Sequence, residues 1–520
     1  MAVLPPFRLR DREGRWRVFP SRREALLCFV EDDCPTCQLT LPLVEAAHRR
    51  FGEVVDVWLI AQDADRGQAV AGRLAGLAPV LDDSALRVSF AYDLDTVPTV
   101  VHAGPEGDER RRFVGFDRDA WRALLDGLAE DTGAEPPPID WAAYPASRPG
   151  CGARNVEPSV AERLAAEARG DRLRARRIEM PEAVDPFEFM FEQGLTDGLP
   201  VVPPTPERVL AMLGGTRRDP GEVIAVVPPS MGEATVEKIA INAVMAGCRP
   251  EYLPVVIAAV QAVCNERFNI HGVLATTHFA GPVLIVNGPI RDRIGMNYRV
   301  NALGQGNRAN ATIGRALQLV VRNVGGGRPG EIDRAALGQP GKYTFCFAEH
   351  EERSNWEPLH VERGFRADQS TVTAFAGAAP TGFVDQLARG AEALATSYGL
   401  MLASIAHPKQ YRYGEALVIV SPEHVDTFAK DGWTKTQLRE AIQRATLRPA
   451  RELARDERCA EGLTAAEVER LGPDTPVPKF RSPEMIKLVV AGGEAGKFAA
   501  YVMGWGGESA SQMTTVAIEE

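Results

Sequence analysis

Two cysteines two residues apart, in Cys34-Pro35-Thr36-Cys37, carry the clearest chemistry in this 520-residue chain. They follow the apolar run Leu26-Leu27-Cys28-Phe29-Val30 and the acids Glu31, Asp32 and Asp33. They also open a stretch, residues 37–50, in which Leu39, Leu43, Ala46 and Ala47 repeat at helical spacing. At a strand-to-helix junction the helix N-terminus stabilises a thiolate on the first cysteine, and the second is close enough to resolve a mixed disulfide. Half of a zinc site is the competing use of such a pair. It needs a second Cys pair or two His nearby, and the next cysteine is Cys151. The acids beside Cys34 are expected to oppose thiolate formation.

Further along, Cys248 sits between Gly247 and Arg249 after a helix-like run, residues 233–245. An adjacent cation lowers a thiol's pKa, which makes Cys248 a candidate active-site thiol, whereas Cys264 and Cys346 lie in apolar runs and are expected to pack. Four of the eight His fall in two groups, His271 with His278 and His350 with His360, each next to turn residues and suited to general acid–base work. His278 precedes an apolar strand-like run, and a structural, hydrogen-bonded histidine is the competing reading. His350, Glu351, Glu357 and His360 compose a mixed N/O metal set, or else a solvated acidic loop. No H-E-x-x-H spacing fixes a metal geometry. The Gly-rich stretch 304–315, with Arg308 and Arg315 and with Asn310 or Thr312 as helix cap, forms a candidate anion site for a carboxylate or phosphate. It is neither a Walker loop nor a clean dinucleotide fingerprint.

Thr96-Val97-Pro98-Thr99-Val100-Val101 places a proline at the first residue of a β-branched run, where a cis bond is accommodated. With the C-x-x-C before a first long helix and Val97-Pro98 facing it, residues from about 21 to 130 resemble a thioredoxin-fold domain. The resemblance implies Cys34 as attacking thiolate, Cys37 as resolving thiol, a redox-active Cys34–Cys37 disulfide, and Pro98 beside them. Typical members carry Trp before the first Cys and Gly-Pro between the two; this chain carries Asp32-Asp33 and Pro-Thr.

A second resemblance covers residues 190–507. It rests on Thr196-Asp197-Gly198-Leu199-Pro200, Asn242-Ala243-Val244-Met245-Ala246-Gly247-Cys248-Arg249, His271-Gly272, Thr276-Thr277-His278-Phe279-Ala280-Gly281-Pro282, Asn287-Gly288-Pro289, the 304–315 stretch, the 346–364 stretch, the 414–424 stretch and Val489-Val490-Ala491-Gly492-Gly493-Glu494. Together these resemble a bacterial family encoded beside, or fused with, small (seleno)proteins named for a Sec/Cys-Gly-Ser-Cys motif. It implies thiol or selenol chemistry on a small anionic or thiol substrate, a small (seleno)protein as possible partner, and no particular substrate. Asn242, His271, Asn287, Arg308, Asn310 and Arg315 would bind that substrate. Phe279 departs from the small residue or Pro expected after His278.

The fold class expected is α/β: a thioredoxin-like domain over residues 1–130, a Pro-rich and charged linker over 131–184, and a larger mixed α/β domain over 185–520. In the large part, strand-like runs at 223–227, 282–286, 343–347, 416–420 and 486–490 alternate with helix-like runs at 233–245, 254–264, 310–322, 383–404 and 435–444. Cys151 falls in the linker, either as an incidental exposed thiol or as a resolving thiol for Cys34 and Cys37. A net charge of −11 disfavours nucleic acid and anionic membranes as partners. No apolar run reaches a membrane span, the start does not read as a signal peptide, and scattered cysteines point to a reducing cytoplasm. The chain is expected to assemble with itself. Three functions are consistent with these residues: a two-part thiol-redox enzyme acting on sulfur or a similar soft atom, a metal-assisted hydrolase or lyase whose thioredoxin part only maintains thiols, and a non-catalytic delivery module that docks a protein.

Overall fold

The computed structural model describes residues 3–31, 33–62, 78–168, 173–178, 180–181, 184–506 and 510–519, in a mixed α/β fold of two compact units, Met1–Arg177 and Ile178–Glu520. Among the described residues no helix is long and apolar enough to cross a membrane.

Strands of the first unit are β1 (Phe7–Arg10), β2 (Trp16–Phe19), β3 (Glu24–Val30), β4 (Val55–Ala61), β5 (Val80–Asp82), β6 (Thr96–Val97), β7 (Thr99–Ala103), β8 (Glu109–Val114), β9 (Phe116–Asp117), β10 (Ser147–Arg148) and β11 (Cys151–Gly152). Its helices are α1 (Pro35–Phe51), α2 (Arg87–Ala91), α3 (Arg118–Thr132) and α4 (Pro158–Ala168). Residues 25–30 of β3 are buried without alternation, as a strand covered on both faces requires. β3 accordingly sits at the centre of the sheet β5-β4-β3-β7-β8, parallel to β4 and antiparallel to β7. Cys34 caps α1 and Pro35 occupies its first turn, where a missing N–H costs nothing. Asp117 caps α3 by accepting the Ala120 N–H, and Gly133 ends it in the left-handed region. The Val97–Pro98 bond is cis. Residues 63–77 lie outside the described ones, and α2 follows β5 before the strand that leads into Pro98.

The linker expectation needs correction. Residues 134–156 pack onto the first unit, with Ala153 in its core and Ile139, Trp141, Tyr144 and Cys151 against it. Asn155 is buried and donates to Leu94 O at 2.7 Å. Proline richness marks an extended path here, and apolar side chains between the prolines make that path adhere.

In the second unit β14 (Gly281–Asn287), β15 (Cys346–Ala348), β16 (Thr371–Val384), β17 (Ala416–Val420), β20 (Ile486–Val490), β21 (Phe498–Gly504) and β22 (Thr514–Ala517) form one sheet, while β12 (Val223–Val227) with β13 (Gly232–Thr235), and β18 (Arg448–Pro449) with β19 (Pro476–Val477), form small hairpins. The order is β15-β14-β16-β21-β17-β20, with β22 also on β16. In this sheet β14 with β15 and β17 with β20 pair in parallel, and β16 with β14, β21 and β22, and β17 with β21, pair antiparallel. The sheet curls until its edges approach: the His350 N–H, just past β15, donates to Val490 O of β20 at 2.7 Å. Val283, Phe347, Phe375, Leu417, Val489 and Val502 fill the inside. Helices Val236–Ala246, Leu253–Val263 and Arg308–Asn323 match expectation to within a few residues. The helix expected over 383–404 begins later, at Ala391, because Phe383 belongs to β16.

Candidate active site

Cys34 lies in extended backbone at the N-cap of α1, and its sulfur accepts the Cys37 N–H at 3.4 Å. In its thiol form it donates to Val97 O at 3.6 Å, beside the cis-proline Pro98. The Glu31 N–H donates to Cys37 Sγ at 3.5 Å. Both thiols are buried, Cys34 to 2% exposure and Cys37 to 0%, and all eight cysteines are free.

Residues 147–152 lie across this site as a strap. Ser147 and Arg148 pair with Asp117 and Phe116, and Cys151 and Gly152 pair antiparallel with Val97 and Thr96. Thr36, inside the C-x-x-C, donates its hydroxyl to Pro149 O at 2.7 Å, and the Ala153 N–H donates to Asp95 O at 3.0 Å. Gly150 is what permits the approach: a Cβ there would stand 2.4 Å from Val97 O and from Thr96 Cγ2.

Electrostatics separates the three thiols. A hydrogen bond from the Cys37 thiol holds Cys34 low, at about 5; burial opposes this, and a bond from the Cys151 thiol with the Cys37 and Thr36 N–H groups adds to it. These hydrogen bonds hold Cys34 low although flanking acids are expected to oppose its ionisation; of those acids, Asp32 lies outside the described residues. Cys37 moves far upward because it donates to the Cys34 thiolate and is buried. Cys151, which donates to the same sulfur, is pushed up to about 11. Cys34 is thus ionised at neutral pH while its two neighbours keep their protons. Once Cys34 enters a mixed disulfide its charge is gone, the largest cause of the Cys37 shift goes with it, and resolution by Cys37 is eased.

The second unit does not assemble its candidates into one site. Cys248 is buried, and burial pushes its thiol up to about 12 against smaller help from Thr312 and Arg308. This corrects its reading as an activated thiol: burial is the largest cause acting on it, and Arg249 lies 3.8 Å from Glu251. The expected anion cradle is occupied by the chain itself. Arg315 grips Asp197 with two bonds of 2.8 Å, Arg308 Nε donates to Gly247 O at 2.9 Å, and Asn310 binds Asn297 and Ala302 carbonyls. Asn307, instead of Asn310 or Thr312, caps that helix. Asn242 donates to Lys238 O at 2.9 Å and accepts from Asn323 at 2.8 Å, both within the helical layer.

His271 is exposed on a short helix; His278 is half-buried against Phe279, burial lowers its pKa, and neither ring nitrogen has a partner. The His350 ring lies tilted against Tyr298, centroids 4.9 Å apart, with Nδ1 unpartnered, while His360 is fully buried with Nε2 3.4 Å from Ala367 O. Glu357 is exposed, and Glu351 is committed to the Asn287 amide, the Gly288 N–H and Arg291. The four residues of the proposed metal set therefore do not converge. Among the described residues no group of three or more His, Cys, Asp or Glu is placed to hold a metal ion. What does converge is a network at the ends of β14 and β15: Asn287 donates to Glu349 at 2.7 Å, and Arg291 joins Glu351 at 3.2 Å and Glu352 at 2.6 Å.

Sequence reasoning missed Thr36, Gly150 and the Val97 carbonyl as parts of the thiol site. Pro149-Gly150-Cys151 was the available signal, a turn delivering a cysteine, yet its partner strand lies over fifty residues upstream.

No family model matches the chain, and no curated protein sequence does. Solved structures similar to it include the pneumococcal exposed lipoprotein thioredoxin of Streptococcus pneumoniae, 20% identical, covering 24% of this chain and 99% of that one with a TM-score of 0.22. The thioredoxin domain of a thiol-disulfide oxidoreductase from Bacteroides vulgatus is 15% identical, covering 24% and 96% with a TM-score of 0.22. A thiol:disulfide interchange protein from Bacteroides sp. is 16% identical, covering 24% and 88%, again at 0.22. The thioredoxin-like arrangement of residues 24–132 rests on this chain's own strand order and on the cysteine pair at the start of α1.

Proposed function

We propose that this protein is a cytoplasmic thiol–disulfide oxidoreductase in which Cys34 attacks and Cys37 resolves, and in which the second unit uses that exchange to make or break a bond to sulfur or a similar soft atom of a small molecule. The observation that carries the first half is the division of protons at the C-x-x-C: an ionised Cys34 beside a protonated, buried Cys37. In the forward direction the Cys34 thiolate attacks a substrate disulfide and expels one thiolate. Cys37 then gives up its proton, attacks Cys34, and releases the second.

For the small-molecule half, the supporting feature is the polar network of Asn287, Glu349, Glu351 and Arg291 at the strand ends, with His350 beside it. Burial lowers the His350 pKa and its Nδ1 is unpartnered, so it is neutral and able to accept a proton near pH 7. Insulin reduction with dithiothreitol as electron source tests the first half. Cys34→Ser should remove the protein's contribution entirely, and an unchanged rate in that variant would refute it. His350→Gln should leave insulin reduction intact and slow turnover of low-molecular-weight disulfides or S-sulfonates. Equal rates on those small substrates would remove the second half.

A further inference from the structure

The strap is built like a bound substrate. An extended segment pairs antiparallel with the strand that leads into the cis-proline, and it sets a cysteine across from Val97, the residue whose carbonyl touches Cys34 Sγ. Thr36 fastens the strap from the C-x-x-C side, Ala153 and Asn155 fasten it beyond, and Gly150 removes the one side chain that would hold it off. Cys151 remains half-exposed, while Cys34 beneath is nearly closed to solvent. Nothing about a spacer would require this register, because a slip of one residue would turn the thiol to the other face.

We infer that Cys151 is a third redox-active thiol, the resident partner of Cys34, and that the strap is an internal disulfide substrate that closes the site between turnovers. This rests on the assignment of Cys34 and Cys37 as a redox pair. The step balances within the chain. After a substrate disulfide has oxidised Cys34 and Cys37, taking two electrons and two protons from them, the Cys151 thiolate attacks the Cys34 sulfur. The Cys34–Cys151 bond forms as Cys34–Cys37 breaks, the electron pair stays on Cys37, and Cys37 takes the proton that Cys151 lost. No electrons leave the chain. The Cys34–Cys151 form holds the strap down, and the reverse attack by Cys37 reopens it.

The test uses the full chain carrying Cys37→Ser, oxidised with glutathione disulfide, acid-quenched, and digested without reductant for mass spectrometry. The expected product links the Cys34 peptide to the Cys151 peptide. A Cys34–glutathione adduct with Cys151 free would overturn the inference while leaving Cys34 as a nucleophile. Wild-type protein treated in parallel separates the two ideas: a Cys34–Cys37 link supports the redox pair, and free Cys34 and Cys37 overturn pair and strap together. If Cys37→Ser does not fold, the wild type decides, because the Cys34–Cys151 link must then appear beside Cys34–Cys37, and its absence overturns the inference.

Discussion

Cys151 and Val97 face each other across a two-residue antiparallel ladder, and this register brings a third thiol to the sulfur of Cys34. Three sulfur atoms with very different proton affinities therefore share one helix N-terminus.

That sharing sets a pH profile. The rate of Cys34 alkylation by iodoacetamide should reach its plateau below neutral pH, with a midpoint near the depressed value of about 5. Cys151→Ala removes one hydrogen-bond donor to the thiolate, so the midpoint should move upward. A midpoint near that of a free thiol in the wild type, at about 8.5, would contradict the electrostatic account.

The strap predicts a steric response. Gly150→Val places branched carbon where even a Cβ meets Val97 O at 2.4 Å. The variant should expose Cys34 to a bulky maleimide, and each ~1.4 kcal/mol lost from strap docking should accelerate labelling about tenfold. Unchanged labelling, with the fold intact by circular dichroism, would show that residues 147–152 do not cover the thiol.

Asp197 and Arg315 are expected to hold structure, not ligand. Arg315→Ala strands a largely buried carboxylate and should cost roughly 2 kcal/mol, read as a lower Tm. Burial alone would raise the Asp197 pKa, but the Arg315 bonds win and lower it. The stabilisation is thus present above the unfolded-state pKa of about 3.9 and disappears as pH falls through the lower folded value. The Tm gap between wild type and Asp197→Asn should narrow in acid. A gap independent of pH would contradict the pairing.

What local pattern governs was readable in advance. The central strand, the start of α1 and the proline at Val97-Pro98 follow from an unbroken apolar run, a C-x-x-C and a β-branched segment, and each lies where its neighbours in sequence place it. The strap was not readable, because β11 is two residues long and its partner is distant. Cys248 misled for a related reason: Arg249 is adjacent in sequence, but burial, a property of the whole fold, controls the thiol. Likewise β16 hid behind a low-propensity run rich in Ala and Gly, with Pro380 at an irregularity in its pairing. Arg308 and Arg315 looked like ligand-binding cations because the carbonyls and carboxylate that take them lie far off in sequence.

The most direct measurement is a redox titration of the full chain across glutathione buffers, with the linked cysteines identified by mass spectrometry. The account predicts a two-electron transition in which Cys34 loses its free thiol together with either Cys37 or Cys151, while Cys28, Cys248 and Cys346, buried and held protonated, stay reduced. Cys34 and Cys37 remaining free at every potential, or Cys248 oxidising ahead of them, would contradict it.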